Sequence, residues 1–282
     1  MNTVVAGASI SKEEFALFQA YIASESGITL DEGKTYLVES RLKGLLDVYD
    51  CANYGDLYQK AKKNSAPLIR SKIIEAMTTN ETLWFRDQSP YMILDEVFLP
   101  EMARQIDAGK PRVRIWSAAC STGQEPYSMA MVISEFCRRH SNVSMDQFEI
   151  VATDISAEAL SVGKLGAYDS ISMGRGMADT FRDTYFKQSG KFWIIESTLK
   201  KIIDFKVFNL MDSFSSLGTF DAIFCRNVAI YFSQDFKIAL FGKMKRALHP
   251  GGMFVLGSSE TLAYYSTEFQ AKSHKNHSYY SA

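Results

Sequence analysis

Two carboxylates and two arginines stand where a folded chain could gather them. Glu125 lies in the run Trp116-Ser-Ala-Ala-Cys-Ser-Thr-Gly-Gln-Glu-Pro-Tyr-Ser128, and Asp154 closes Ala152-Thr-Asp154. Arg86 follows the bulky pair Trp84-Phe85, and Arg226 and Asn227 follow the apolar run Phe220-Asp-Ala-Ile-Phe-Cys225, with Tyr231 beyond. Small residues after a strand let backbone approach a ligand, and a helix N-terminus offers free N–H groups. An acid at the end of the next strand can accept bonds from ribose hydroxyls. The glycine fingerprint of dinucleotide enzymes is missing, because Gly123 is the sole glycine of the run. A diphosphate cradle is therefore not expected. An adenosine ligand without phosphates fits better, and S-adenosylmethionine is the candidate.

Each residue carries two readings. Glu125 completes the capping-box spacing Thr122-Gly-Gln-Glu125, which would fold it back on its own helix. Pro126 opposes that, since proline favours the first helical position and disfavours helical geometry in the residue before it, so Glu125 is itself a candidate cap. Glutamate is a poor cap, and a carboxylate there would face a pocket and accept bonds from an amine. Asp154 is either the cap of a helix opening near Ala157, a role Ser156 can fill, or a ribose acceptor at the strand edge. Arg226 alone reads as a solvated strand end and Tyr231 as a core aromatic; beside Asp154 on a shared edge, both read as site residues. Arg86 is either a surface partner of Asp87 or a planar cation that holds a substrate carboxylate at two points. Gly174-Arg-Gly176-Met-Ala-Asp follows no strand and is not a phosphate loop. No serine or histidine sits in a nucleophile-elbow context.

The elements that would position these groups follow from periodicity. Residues 1–80 read as all-helical. Ser11-Lys-Glu-Glu14 has capping-box spacing before Phe15, Phe18, Tyr21 and Ile22, and Gly27 ends that helix. A second helix spans 32–47 with Val38, Leu42, Leu45 and Leu46 on one face, Asn53 opens a third, and 67–77 forms a fourth. Thr78-Thr-Asn-Glu-Thr-Leu-Trp-Phe-Arg86 matches neither period and reads as a linker. From Ser89-Pro90, a cap and first-turn pair, helices alternate with strands at 113–117, 148–154, 202–208, 222–226, 253–258 and 278–281. That alternation predicts an α/β domain over 81–282 with a parallel, doubly covered sheet. His249-Pro-Gly-Gly252 reads as a break before the fifth strand. An insertion over 166–201 holds a helix-like 179–187 and a strand-like 191–196.

Bulk numbers narrow the class. The 282 residues are 46% hydrophobic and 22% charged, enough for a sizeable core, and the net charge is −1 with no basic stripe to draw nucleic acid. Met1 to Ile10 lacks a basic start and a long apolar run, so a cytoplasmic protein without membrane insertion is expected. The four cysteines are scattered and read as reduced, partly buried thiols. No metal site is expected; His274 and His277 read as surface residues. A monomer is the default.

These residues resemble a known family, the chemotaxis receptor methyltransferases (CheR). The resemblance rests on Asn80-Glu-Thr-Leu-Trp-Phe-Arg86, Ser117-Ala-Ala-Cys-Ser-Thr-Gly-Gln-Glu-Pro-Tyr-Ser128, Ala152-Thr-Asp154, Asn209-Leu210 and Ile223-Phe-Cys-Arg-Asn-Val-Ala-Ile-Tyr-Phe232, in order and spanning nearly the whole chain. It implies a Rossmann-like class I S-adenosylmethionine-dependent methyltransferase fold with a small β subdomain inserted at 166–201, preceded by an all-helical, receptor-facing domain. It implies transfer of methyl to glutamate carboxylates of chemoreceptors, in sensory adaptation, with S-adenosylhomocysteine as product. The implied cofactor contacts are Asn80, Thr82, Arg86, Glu125, Asp154, Asn209, Leu210, Arg226 and Asn227, with Arg86 and Tyr231 nearest the transferred methyl. The implied partner is the cytoplasmic helical domain of the receptors, and in some members the β subdomain also takes a receptor tail peptide as an added strand. Family members often carry several arginines on the second helix; here Arg41 and Lys43 are offset by Asp47 and Asp50. Competing readings are a methyltransferase for another acceptor and a non-catalytic module that senses S-adenosylmethionine or scaffolds a complex.

Overall fold

A computed structural model describes residues 9–63 and 65–282; the stretch read above for a leader lies outside them except for Ser9 and Ile10. The chain forms two compact units. One holds the described residues up to Thr79 together with Tyr231–Phe236, and the other holds Asn80–Ile230 and Lys237–Ala282.

The first unit contains α1 (Lys12–Ser26), α2 (Thr35–Val48), α3 (Tyr54–Ala61) and α4 (Pro67–Met77). The Ser11–Glu14 capping box forms, and Gly27 closes α1 at φ 75°. Asn53 caps α3. Phe18, Ile22, Val38, Leu42, Tyr54 and Ile73 pack the interior, while Leu45 is only half-buried. Tyr231 belongs to this unit: its carbonyl accepts from the Thr29 N–H at 2.9 Å and Oγ1 at 3.0 Å. Arg41 is not a free surface charge. Its guanidinium donates to the carbonyls of Met77 (2.8 Å) and Thr78 (3.0 Å), satisfying orphan acceptors at the end of α4. Lys43 is exposed.

The second unit opens with α5 (Ser89–Ile93), a π-helical turn (Leu94–Phe98) and α6 (Leu99–Asp107). The cap of α5 is Gln88 at φ 50°, not Ser89, which lies inside the helix. There follow β1 (Val113–Ala118), α7 (Gln124–Arg139), β2 (Phe148–Asp154), α8 (Ala157–Leu165), β3 (Ala167–Asp169), α9 (Ser170–Met173), α10 (Asp179–Tyr185), β4 (Phe186–Ser189), β5 (Phe192–Ile195), α11 (Ser197–Lys200), β6 (Ile203–Val207), β7 (Phe220–Cys225), α12 (Gln234–Ala247), β8 (Leu248–Leu256), β9 (Gln270–His274) and β10 (His277–Ser281). The large sheet has the order β6-β2-β1-β7-β8-β10-β9; a separate antiparallel sheet has the order β3-β5-β4.

The expected parallel sheet is instead mixed. β6 through β8 run parallel, and β10 and β9 add an antiparallel hairpin. The hairpin turns at Lys275 and Asn276, both at positive φ (46° and 65°), the conformation a two-residue hairpin needs. Its outer strand is polar and exposed, so no apolar alternation announces it. The His249–Gly252 break lies inside β8, as a bulge: Phe220 pairs with Leu248 and Ala222 with Met253.

Residues on β1 and β7 are buried on both faces, as expected for central parallel strands covered by helices. Trp116 is fully buried, stacked on Phe220 and edge-on to Phe214, with its Nε1 donating to Thr153 Oγ1 at 2.9 Å. The amino edge of the sheet is tied by charge. Asp221 accepts from Lys110 Nζ (2.7 Å) and the Arg114 N–H (2.8 Å), and Arg114 also meets Glu149 at 2.8 Å. The chain reverses direction of progress between β1 and β7, so a crevice opens at their carboxyl ends.

Candidate active site

At that crevice the β1–α7 turn carries Ala119, Ser121 and Gly123 at φ 60°, 51° and 93°. A Cβ on Gly123 would lie 3.0 Å from the Gly163 Cα and 3.1 Å from the Tyr168 hydroxyl, so only glycine permits this approach of α7 to α8. Gly123 is the cap of α7 and no side chain caps the helix, which leaves its first N–H groups to a ligand. The capping box proposed for Thr122 and Glu125 does not form, nor is Glu125 the cap. Pro126 sits harmlessly in the first turn, where its missing N–H would have no partner. Glu125 is buried; it accepts from Ser117 Oγ at 2.7 Å and from Arg226 Nη1 at 2.8 Å. Burial pushes its carboxyl above the usual range, against the pull of Arg226 and the Ser117 bond.

Asp154 is buried at the end of β2. It accepts the Ser121 N–H at 2.8 Å and the Ser156 N–H at 2.9 Å, while Ser156 Oγ caps α8 through the Ala159 N–H. The carboxylate therefore holds the β1–α7 turn in shape.

Arg226 follows β7 and its side chain is almost wholly buried. Besides Glu125 it binds Asp87 Oδ2 at 2.9 Å and the Arg86 carbonyl at 2.5 Å, and its guanidinium lies 5.7 Å from the Tyr91 ring centre. Burial works against its charge, but Tyr91, Glu125 and Asp87 outweigh it and raise its pKa above the ordinary value. Its Nε is buried without a hydrogen-bond partner. The Arg86–Asp87 pair considered from sequence does not form: Asp87 serves Arg226, and the Arg86 side chain donates to the Glu81 carbonyl at 3.2 Å. Phe85, Asp87 and Gln88 all sit at positive φ. Backbone that unfavourable persists only where its surroundings over-determine it.

Asn227, at φ 58°, is held by Glu260, which sequence reasoning missed. Glu260 accepts the N–H groups of Asn227 (2.6 Å), Gly257 (2.9 Å) and Ile230 (3.3 Å). The available signal was an acid directly after a strand, in Gly257-Ser-Ser-Glu260. Asn209 makes a local turn by accepting the Met211 N–H, and Leu210 is buried. Lys243, also missed, donates to the carbonyls of Leu210, Met211 and Asp212. The Asn80 carbonyl accepts from Ser121 Oγ at 2.9 Å, and Thr82 is half-buried in the same segment. Hydrogen bonds thus link Asn80, the Arg86 backbone, Glu125, Asp154 and Arg226 to the crevice turns. Asn209–Leu210 follows the neighbouring strand β6, and Tyr231 falls in the other unit.

An acid at the end of β2, an uncapped helix behind a small-residue turn, and an unsatisfied buried donor on Arg226 fit S-adenosylmethionine. They define a class I S-adenosylmethionine-dependent methyltransferase. Residues 80–277 match the CheR methyltransferase SAM binding domain and residues 13–78 the CheR methyltransferase all-alpha domain. The chain belongs to the CheR methyltransferase family. It is 41% identical to chemotaxis protein methyltransferase 1 of Pseudomonas aeruginosa, over 90% of this chain and 92% of that protein. It is also 41% identical to chemotaxis protein methyltransferase 1 of Vibrio cholerae, over 93% and 94%, and 33% identical to a chemotaxis protein methyltransferase of Borreliella burgdorferi, over 90% of each. No helix among the described residues is long and apolar enough to cross a membrane.

Proposed function

We propose that this methyltransferase esterifies glutamate side chains on the cytoplasmic helical domain of chemoreceptors. The observation that carries the reading is a segment ending in Arg86 whose backbone is bound by Arg226 at the same crevice that Asp154 shapes. Its kinship with chemotaxis protein methyltransferases supports the receptor as acceptor. Residues 1–80 would face the receptor and 81–282 carry the transfer. The edges β3 and β4 of the small sheet are where a receptor tail peptide would add a strand.

Bound at the crevice, S-adenosylmethionine supplies a methyl group on a positively charged sulfur. Asn80, Thr82, Arg86, Glu125, Asp154, Asn209, Leu210, Arg226 and Asn227 would hold it. A glutamate carboxylate is already ionised at neutral pH, so the chain need provide no general base. Arg86 orients the incoming carboxylate at two points. The remaining work is positioning and exclusion of water, which favours a reaction in which opposite charges cancel.

The test is transfer of radiolabelled methyl to receptor-containing membranes, followed by mild alkali. Label released as methanol, and lost with Arg86→Ala, is the expected result. Alkali-stable label would mean a different acceptor group. Cofactor binding without transfer to any receptor in a panel would favour a sensing module. Arg86→Ala with normal rate and cofactor affinity would remove Arg86 from the mechanism.

A further inference from the structure

The segment bearing Arg86 has no regular secondary structure of its own: 81–83 is irregular and 84–87 is a turn. Something outside it must fix its path. On one side the Phe85 N–H donates to Ser128 Oγ on α7 at 3.1 Å, and Arg226 binds the Arg86 carbonyl. On the other side lies the stretch 170–176, which is α9 and the turn after it and carries Gly174-Arg-Gly176. Trp84 is fully buried, and its two N–H groups reach that stretch. The backbone N–H donates to the Arg175 carbonyl at 3.0 Å and Nε1 to the Ser172 carbonyl at 3.1 Å. Its ring meets Tyr168 and Phe186 edge-on, at 4.8 and 5.4 Å between centres. Arg175 also pairs with Glu81 at 2.8 Å, but both side chains are half-exposed or more, so this pair contributes little.

The close approach depends on a glycine. Gly176 sits at φ +95°, and a Cβ there would lie 2.3 Å from the Trp84 carbonyl oxygen and 3.4 Å from Leu83 Cδ1. Any side chain must push the Trp84 peptide away, two residues before Arg86. The stretch is itself well built, with Asp169 accepting the Ser172 N–H at 2.7 Å.

We propose that α9 and the turn after it, 170–176, position Arg86, with Gly176 and Trp84 as positioning residues that act through the 80–87 segment. The inserted β subdomain then has a part in the reaction at the crevice as well as any part in receptor binding. This rests on the reading of Arg86 given above.

The test uses the full chain as wild type, Gly176→Ala, Arg86→Ala and the double variant. Melting temperature, affinity for S-adenosylhomocysteine by calorimetry, and kcat and KM on receptor membranes are measured for each. Gly176→Ala is expected to lower kcat/KM about tenfold or more, and the double variant to be no more than about twofold slower than Arg86→Ala. Losses that multiply, or a Gly176→Ala enzyme of normal rate, would overturn the proposal, because a merely structural defect adds to the loss of Arg86. Trp84→Phe, which keeps an aromatic ring and removes the Ser172 bond, gives the same cycle if Gly176→Ala does not fold. Should wild type transfer nothing to receptors, the acceptor assignment fails. The cycle is then read in S-adenosylhomocysteine affinity, where additive losses overturn the positioning role and non-additive losses uphold it.

Discussion

The buried ion cluster is the decisive feature at the scale of single residues. Arg226 meets Glu125 on α7 and Asp87 in the turn 84–87, so one guanidinium ties three chain segments. Arg226→Met leaves Glu125 buried without its cation, and breaking such a pair costs about 3–5 kcal/mol. Urea unfolding is expected to show a loss of that size, with S-adenosylmethionine binding lost too; a loss under about 1 kcal/mol would mean the pair is effectively solvated. Glu125 gives a pH signature. Its folded pKa is raised by burial, so the folded state binds the proton more tightly than the unfolded chain. Its contribution is fully present below the ordinary value near 4.5 and is lost as pH rises through the raised one. The unfolding free energy of wild type minus that of Glu125→Gln should therefore fall as pH rises across that window. A flat difference would argue against desolvation. Glu125 and Asp154 were legible in the sequence because carboxylates are out of place beside a proline-bearing helix start and at a strand end. The partner of Arg226 was not, since Asp87 lies 139 positions away and Arg86 is adjacent to it.

At the scale of elements, the turns after the strands are held by groups from elsewhere in the chain. Lys243 on α12 is the clearest case: it gathers the carbonyls of Leu210, Met211 and Asp212 at 2.5, 3.1 and 3.0 Å, shaping the loop after β6. Lys243→Met is expected to raise the KM for S-adenosylmethionine several-fold while kcat holds, because the loop would bind and release the cofactor without touching the acceptor. Steady-state kinetics decides it, and a fall in kcat at constant KM would place the loop in the chemistry. Helices and central strands were readable from their period, down to the Ser11–Glu14 capping box. β10 was readable too, as the strand at 278–281, but β9 and the bulge within β8 were not, because their residues are polar or glycine-rich and their pairing comes from neighbours.

For the whole molecule, the cofactor should act as a structural ligand of the second unit. At a hundredfold excess over its dissociation constant, a ligand that binds only the folded state stabilises by about 2.7 kcal/mol. For a domain of this size that corresponds to a rise of roughly 5–10 °C in melting temperature. S-adenosylhomocysteine should produce that shift in calorimetric scans, and Asp154→Ala should abolish it; an equal shift in the variant would remove Asp154 from the site. The helices and central strands, the identity of the acids and arginines, and the family itself were written in the linear chain, because periodicity and local motif spacing are local properties. The tertiary structure decided which charges meet. It assigned Asp87 to Arg226 in place of Arg86, turned Arg41 inward onto the end of α4, and made α9 and the turn after it the support of Trp84. Those choices depend on how segments distant in sequence are brought together and desolvated, and no local pattern carries that information.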